Sequence, residues 1–251
     1  MQGIDVSVHN GYVDYKKTKA AGYGFVLVRD GYGDVLSYPY QTDSRYDENY
    51  KNAKAAGMYV GAYHYMYATT IEGARREAQG MLGLLKGRQF DMPVALDIEE
   101  STQYSLSAAQ KGAIIEAFIS ELEKAGYYVV LYSYEAFLNT VPKSTLDKYD
   151  IWCANISRVP SIRYGIHQHS FTGRVSGISG DVDLNRTDRD YPALIKAGGF
   201  NGYTKPKPEA KAESKTETKA PVKGDLNGDG KVNVADVALL AAHVKGEKPI
   251  K

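Results

Sequence analysis

Cysteine, net charge and long apolar runs are all scarce in this sequence. The single cysteine, Cys153, excludes an intramolecular disulfide framework and a zinc site built from several thiolates. The formal net charge of +1 provides no bulk attraction to nucleic acid or to an anionic membrane. No apolar run approaches the length of a membrane span, and the N-terminal residues MQGIDVSVHNG lack the basic and apolar regions of a signal peptide.

Tyrosine, in contrast, is abundant. The chain has 251 residues, of which 43% are hydrophobic and 24% charged, and this composition is typical of a globular protein with a substantial core. It contains 21 tyrosines but only one tryptophan and six phenylalanines. A tyrosine ring has an apolar face and a hydrogen-bonding hydroxyl, which suits both protein interfaces and sugar-binding clefts. Composition alone leaves both interpretations open.

Short apolar runs alternate with amphipathic segments up to about residue 200. Most runs are bounded by Gly, Asp or Pro, and several are rich in β-branched and aromatic residues, which predicts β-strands. Eight strands alternating with helices predict an α/β fold, a closed (β/α) TIM-like barrel, which we expect to be irregular because the helical stretches after Tyr132 are short. The predicted strands are residues 3–7, 24–29, 59–65, 93–98, 128–132, 151–155, 164–168 and 180–184.

Three amphipathic segments predict helices between these strands. Thr69 and Glu72 have the spacing of a capping box and precede one apolar stripe, and Ser107 and Gln110 have the same spacing before another. A third helix is predicted over about residues 46–56.

Four acidic residues stand at predicted strand ends, namely Asp5, Asp97, Glu99 and Asp183. The carboxyl ends of barrel strands form the rim from which catalytic groups project. Residues i and i+2 of a strand point to the same side, so Asp97 and Glu99 should face one cleft while Ile98 packs behind the sheet. Close, partly desolvated carboxylates raise at least one pKa and keep one carboxyl protonated near neutrality. Glycoside hydrolysis needs such a proton donor beside a second carboxylate.

An acidic strand end is also typical of ordinary solvent-facing loops. Aromatic neighbours favour the catalytic interpretation here, because their faces and hydroxyls suit a polysaccharide. Burial in the barrel wall is the ordinary outcome for any single ring, and a structural role competes with substrate contact for the histidine of the set. The substrate-binding candidates are Tyr32, Tyr63, Tyr65, Tyr132, Trp152 and His64.

Several segments resemble, in order and spacing, those of the glycoside hydrolase family 25 lysozymes. They are GIDVSVHNGYVDY, VLVRDGYG, YVGAYHYMYA, PVALDIEE, VVLYSY, DIWCAN and GDVDLN, and the match spans about residues 1–190. Asp-Val-Ser, the Asp-x-Glu strand end and the late Asp-x-Asn together make the resemblance specific. It implies an irregular (β/α) barrel and an N-acetylmuramidase without a catalytic cofactor. Such an enzyme cleaves the β-1,4 bond between N-acetylmuramic acid and N-acetylglucosamine in peptidoglycan.

The resemblance also implies roles for individual residues. Glu99 would be the general acid and Asp97 its partner carboxylate, with Asp5 and Asp183 orienting and charge-tuning the pair. Tyr63 would contact the substrate acetamido group. Whether the partner carboxylate activates water or steadies an intermediate formed by the acetamido oxygen stays open.

Two departures from the family pattern concern the shape of the cleft. Where many members have an aromatic-Gln-Tyr segment before the last strand, this chain has Ile-His-Gln-His at residues 166–169. Thr187 takes the place of a usual phenylalanine after the Asp-x-Asn motif.

Residues 201–223 differ in composition from the rest. They are rich in Lys, Glu, Thr, Pro and Ala and nearly free of large apolar side chains, which predicts a disordered, flexible linker. The lysines are interleaved with glutamates, which disfavours a charged binding tail. The predicted organisation is therefore a catalytic domain over 1–200, a linker over 201–223 and a small module over 224–251.

The module contains the spacing of a calcium-binding loop. Oxygen-bearing side chains stand at loop positions 1, 3, 5, 9 and 12, with a glycine at position 6 and a main-chain carbonyl ligand at position 7. A following helix, the aspartate at position 12 and the lack of a preceding helix resemble a single dockerin repeat, so we expect a small α-helical module with structural Ca²⁺. The predicted ligands are Asp225, Asn227, Asp229, Lys231, Asn233 and Asp236.

A dockerin has two such repeats, whereas this sequence has one. A lone helix cannot bury its own apolar stripe, so we expect that stripe to dock on the barrel, on a cohesin-like protein or on a second copy of itself. The other expected partner is a peptidoglycan glycan strand, with neither nucleic acid nor a membrane.

Two functions from other classes compete with the muramidase. In a metal-dependent phosphodiester hydrolase, Asp5, Asp97, Glu99, Asp183 and His64 would ligate a divalent ion. A non-catalytic wall-binding module would need no proton donor. For the muramidase, whose substrate lies outside the membrane, the absence of a visible signal peptide fits two alternatives. We favour a phage or prophage endolysin, kept in the host cytoplasm until a separate pore releases it, over a secreted enzyme whose leader is missing from this sequence.

Overall fold

The computed structural model describes residues 1–205, 223–224, 226, 231–232, 236–237 and 239–240. The chain divides into two compact units, Met1–Pro206 and Lys207–Lys251. Most of the predicted linker lies outside the described residues, as do the predicted calcium ligands Asp225, Asn227, Asp229 and Asn233. None of the helices in the described part combines the length and apolar character required to cross a membrane.

Eight strands of the first unit close into a barrel in chain order, as the sequence predicts. Every predicted strand has a counterpart: β3 has the predicted bounds, and those of the others differ by one to five residues at one or both ends. The strands are β1 (Gln2–Val6), β2 (Tyr23–Tyr32), β3 (Tyr59–Tyr65), β4 (Val94–Asp97), β5 (Val129–Tyr134), β6 (Asp150–Ala154), β7 (Ile166–Gly173) and β8 (Val182–Arg186).

A regular (β/α) barrel has eight parallel strands, and the last strand of this barrel departs from that pattern. β1 to β7 run parallel to one another, but β8 runs antiparallel to both β7 and β1. The short chain between β7 and β8 has no crossover helix to return it to the starting edge, so the strand enters in the opposite direction. The barrel is irregular, as expected.

Helices surround the barrel. α2 (Tyr46–Ala55) agrees with the predicted third helix, and α5 (Ala108–Lys124) begins with the predicted capping box of Ser107 and Gln110. α3 (Ile71–Leu85) is capped by Thr70, whose side chain accepts a hydrogen bond from Gly73 N, so the capping box predicted at Thr69 is wrong by one residue. The others are α1 (Tyr15–Ala20), α4 (Ser101–Tyr104), α6 (Glu135–Leu138), α7 (Lys143–Leu146) and α8 (Tyr191–Gly198).

Side chains alternate in direction along each strand, and this alternation separates two hydrophobic cores. On β2, Val26 and Val28 belong to the core between the sheet and the helices, whereas Phe25 and Leu27 belong to the core inside the barrel. Ile98 lies in the outer core, as predicted from its position between two acidic residues. The inner core fills the barrel below its mouth and leaves the strand ends to polar side chains.

The side chain of His64 lies on the outer face of the barrel sheet, between the sheet and the helices. The prediction that His64 contacts substrate is therefore wrong. It is fully buried, and its neighbour Tyr63 is the residue of β3 that faces inward. His64 Nδ1 lies 2.8 Å from Asp30 Oδ1, and Nε2 lies 2.9 Å from Gly33 O. Gly33 O can only accept, so Nε2 donates, and with Asp30 ionised Nδ1 donates as well and the ring is an imidazolium. Burial is the largest single influence and would lower the pKa of His64, but the Asp30 and Glu77 carboxylates together outweigh it and raise this pKa to about 10.

We expect His64→Ala to destabilise the barrel by about 3–5 kcal/mol, because it leaves the buried carboxyls of Asp30 and Glu77 without their cation. Urea unfolding of the full chain measures this loss. His9→Ala, at an exposed histidine, is the matched control and should leave the midpoint unchanged. Equal midpoints for the two variants would contradict a structural role for the buried ion pair.

Candidate active site

Four acidic side chains meet at the mouth of the barrel. Asp5 and Asp97 are buried near the ends of β1 and β4, and Glu99 and Asp183 are half-buried. Asp183 is the second residue of β8 and pairs directly with Asp5. Its predicted position at the carboxyl end of a strand is therefore wrong, but the antiparallel direction of β8 brings its amino end to the same rim.

The Asp5 carboxylate is held by two side-chain amides. Asp5 Oδ2 accepts hydrogen bonds from Gln168 Nε2 at 2.9 Å and from Asn185 Nδ2 at 2.7 Å, all among buried residues. Trp152 Nε1 donates to Asn185 Oδ1 at 2.7 Å, and Tyr132 donates its hydroxyl proton to Gln168 Oε1 at 2.7 Å. Because an indole N–H can only donate, the Trp152 bond turns the amide nitrogen of Asn185 towards Asp5.

Burial raises the pKa of all four carboxyls, to different extents. For Asp5 the amide donors oppose burial, and the pKa is about 6. Burial and then the charge of Asp5 raise the pKa of Glu99 to about 7 and that of Asp183 to about 8. The pKa of Asp97 rises well above its usual range, through burial and then the charges of Glu99 and Asp5, against the opposing charge of Arg29. The mouth therefore holds protonated carboxyls near neutrality.

Two oxygens of this group are buried without a protein partner. Within the part of the chain that the structure describes, Asp97 Oδ1 and Glu99 Oε2 have no hydrogen bond. Buried polar atoms are nearly always paired, and unpaired ones concentrate where a ligand completes the pairing. A protonated Glu99 thus has the chemistry of a proton donor to a bound molecule.

The aromatic candidates form two groups at different depths. Tyr63, Tyr132 and Trp152 are buried inside the barrel below the acidic group, with the Trp152 ring centroid 4.3 Å from that of Tyr132 and 5.9 Å from that of Tyr63. Tyr32 and Tyr65 are half-buried at the rim, where both lie 5.6 Å from the ring of Tyr67. These rim tyrosines line a cavity of about 340 Å³ together with Val8, His9, Arg29 and Tyr67.

Three polar residues of the mouth escaped the prediction from sequence. Gln168 and Asn185 hold Asp5, and Arg29 is the cation whose charge acts on Asp97. Asn185 lies two residues after Asp183 and therefore on the same face of the strand, so the spacing already contained a signal. Gln168 and Arg29 lie in segments that resemble the family, but their contacts with Asp5 and Asp97 follow from the closure of the barrel and cannot be read from local spacing.

Comparisons with known proteins identify the family of the barrel. The model of the family described as Glycosyl hydrolases family 25 matches residues 4–178, from within β1 to beyond the end of β7. The chain is also 32% identical over 189 residues to the autolytic lysozyme of Clostridium acetobutylicum, and this match covers 74% of the chain. It spans only 55% of the length of that lysozyme.

Solved structures with the same fold include two of similar sequence. The CTP1L endolysin has a TM-score of 0.68 at 29% identity, over 78% of this chain and 69% of its own. The bacterial lysozyme from Streptomyces coelicolor has a TM-score of 0.67 at 29% identity, over 81% of this chain and 98% of its own. With the family model covering well over half of its residues, the chain belongs to the glycosyl hydrolases of family 25.

Proposed function

We propose that the barrel is a peptidoglycan muramidase, which hydrolyses the β-1,4 bond between N-acetylmuramic acid and N-acetylglucosamine. One observation carries this proposal: the Glu99 carboxyl is half-buried at the mouth, has a pKa of about 7, and keeps Oε2 without a protein partner. Such a group is protonated in a large fraction of molecules at neutral pH and has no competing acceptor. We assign it the role of the general acid that protonates the glycosidic oxygen.

Asp97 is the partner carboxylate in this proposal. Asp97 and Glu99 repel each other as anions, so the state with one shared proton is favoured. The charge of Arg29 opposes the rise in the pKa of Asp97, although burial and the neighbouring carboxylates outweigh it. We assign the shared proton to Glu99 in the reactive state, where its unpaired Oε2 can give it to the glycosidic oxygen. An ionised Asp97 either activates a water molecule or steadies the positive charge of an intermediate formed by the substrate's acetamido oxygen.

Asp5 and Asp183 act on this pair through charge and position. Asp5 is the carboxyl with the lowest pKa of those given values, because two amides donate to it, and its charge raises the pKa of Glu99 and Asp97. Asp183 keeps its proton at neutral pH and so does not add a further charge at the mouth. Tyr63, on the inner wall, is the proposed contact for the acetamido group.

The biological role that we propose is lysis of a bacterial cell or turnover of its wall. Similarity to an autolytic lysozyme and to an endolysin supports it. The endolysin route, with release through a separate pore, remains our proposal for how the enzyme reaches its substrate.

The competing metal-dependent hydrolase loses support from the position of His64. That alternative needs His64 beside the four carboxyls, whereas the imidazole lies on the outer face of β3 and pairs with Asp30. The non-catalytic wall-binding module is a separate alternative, which the removal of Glu99 tests directly.

We also propose that the C-terminal module binds structural Ca²⁺ as a single dockerin-type repeat. One contact supports this: Leu226 N donates to Asp236 Oδ1 at 2.7 Å, which joins loop position 2 to position 12. Asp236 is itself buried. The other predicted side-chain ligands lie outside the described residues. A cohesin-like protein or a second copy of the module remains the proposed partner of the helix that follows.

Glu99→Gln should lower kcat on purified peptidoglycan by about 10²–10⁴-fold, because the amide keeps the shape of the side chain but has no proton to give. Glu123→Gln, at an exposed position of α5, is the control and should retain the wild-type rate. Mass spectrometry of reduced products should identify muramic acid at the new reducing end. Reduced glucosamine would instead indicate a glucosaminidase, and full lysis by Glu99→Gln would favour the wall-binding module.

The pH profile should follow the proton on Glu99. Because the donor must be protonated, kcat/KM should fall by about tenfold per pH unit above a pH of about 7. Asp5→Asn removes a charge that raises the pKa of Glu99, so the alkaline limb should move to lower pH. Asp181→Asn, next to the site but exposed, should leave the limb in place. An unmoved limb in the Asp5 variant would contradict the charge coupling.

Calcium titration of the full chain should give one binding site by calorimetry and a gain of helical circular dichroism. Asp229→Ala should abolish the binding, because it removes a carboxylate ligand from the loop. Asp188→Ala, on the barrel and exposed, should bind as the wild type does. A titration without heat and without spectral change would rule out the calcium module.

A further inference from the structure

Arg29 reaches the mouth of the barrel with one edge of its guanidinium already engaged. It pairs with Tyr63 in the register of β2 and β3, and its side chain is only 12% exposed. Nε donates to Asp43 Oδ2 at 2.9 Å, and the guanidinium carbon lies 5.6 Å from the centre of the Tyr32 ring. The side chain is therefore held in one orientation by a hydrogen bond and an aromatic face.

Both carboxylate oxygens of Asp43 are occupied by hydrogen bonds from the protein. Its side chain is fully buried, and Oδ2 also accepts from Val8 N at 2.9 Å while Oδ1 accepts from Arg45 N at 2.9 Å. Nη1 and Nη2 of Arg29, by contrast, donate no hydrogen bond to any part of the chain that the structure describes. A guanidinium has five N–H donors, so the terminal fork retains four of them.

The cavity beside this fork has the character of an anion site. Its lining comprises Val8, His9, Arg29, Tyr32, Tyr65 and Tyr67, with no aspartate or glutamate among them. A carboxylate entering the cavity would meet two parallel donors in the geometry that favours bidentate pairing.

We propose that Arg29 binds a carboxylate of the muramoyl unit of the substrate through Nη1 and Nη2, and so contributes to substrate specificity. This inference rests on the proposed muramidase function and deepens it. The carboxylate belongs either to the lactyl arm of muramic acid, where the stem peptide has been removed, or to the stem peptide itself. Both sources offer the same planar, two-oxygen anion.

The experiment compares Arg29→Gln and Arg29→Lys with the wild type on two substrates. One is purified peptidoglycan with intact stem peptides, and the other is amidase-treated glycan with free lactyl carboxylates. Each is also used after its carboxyls have been converted to amides with carbodiimide and ammonia. Because Arg29 also acts on Asp97, a loss of rate on every substrate is expected, and the ratio between carboxylated and amidated forms is the informative quantity.

For Arg29→Gln, KM should rise at least about tenfold more on the carboxylated form than on the amidated form of the same substrate. Arg29→Lys, which keeps the charge but loses the fork, should fall between the wild type and Arg29→Gln. A difference on intact peptidoglycan alone identifies the stem peptide as the source, and a difference on stripped glycan alone identifies the lactyl arm. Equal losses on carboxylated and amidated forms would overturn the inference.

A binding assay separates this inference from the proposed function. Sedimentation with insoluble peptidoglycan, in the Glu99→Gln background, measures affinity without turnover. If the wild type cleaves no muramoyl bond, the proposed function fails. Carboxylate-dependent binding that is lost in Glu99→Gln/Arg29→Gln would still support the anion site. If cleavage is normal but binding ignores the carboxylate, only this inference fails. Thermal unfolding of the Lys variant verifies that the barrel remains folded.

Discussion

The hydrogen bonds from two amides to the buried Asp5 carboxylate are the interaction on which the mouth of the barrel depends. Without donors, burial would keep Asp5 protonated to a higher pH, and its charge would not act on the other carboxyls. Gln168 and Asn185 supply these donors, and Trp152 fixes which end of Asn185 points at Asp5. Trp152, which is buried inside the barrel, thus affects the pKa of Glu99 indirectly, through Asn185 and Asp5.

The reversed direction of β8 makes this arrangement geometrically available. Asp183 and Asn185 are two residues apart on one face of β8, and antiparallel pairing sets Asp183 opposite Asp5. If the last strand were parallel, Asn185 would lie nearer the rim than Asp183, and Asp183 would lie deeper in the barrel. The irregularity of the barrel is therefore a condition for the acidic group to form, because the strand that breaks the parallel pattern supplies both an acid and one of the amide donors.

The sequence predicts the strands and the inward pair well, for a physical reason. The period of two is local, so the placement of Asp97 and Glu99 on one side of Ile98 needs no knowledge of the rest of the chain. The direction of β8 and the meeting of Gln168 with Asp5, which are 163 residues apart, depend on closure of the barrel. The burial of His64 follows the same local period as Tyr63, but its pairing with Asp30 required the neighbouring strand to be in place.

The four carboxyls at the mouth and the Arg29 side chain are held in place in the same way. In each, a buried carboxylate, Asp5 or Asp43, is satisfied by donors from elements far apart in the chain. The charge of Asp5 raises the pKa of Glu99. Asp43 instead accepts hydrogen bonds from Arg29 and from Val8, and so holds Arg29 and the chain after β1 in place. Among the described residues of the mouth, the groups left without a hydrogen bond include Asp97 Oδ1, Glu99 Oε2 and the terminal nitrogens of Arg29. These groups are available to a bound glycan: the two carboxyl oxygens can form hydrogen bonds with it, and Arg29 can pair with an acidic substituent.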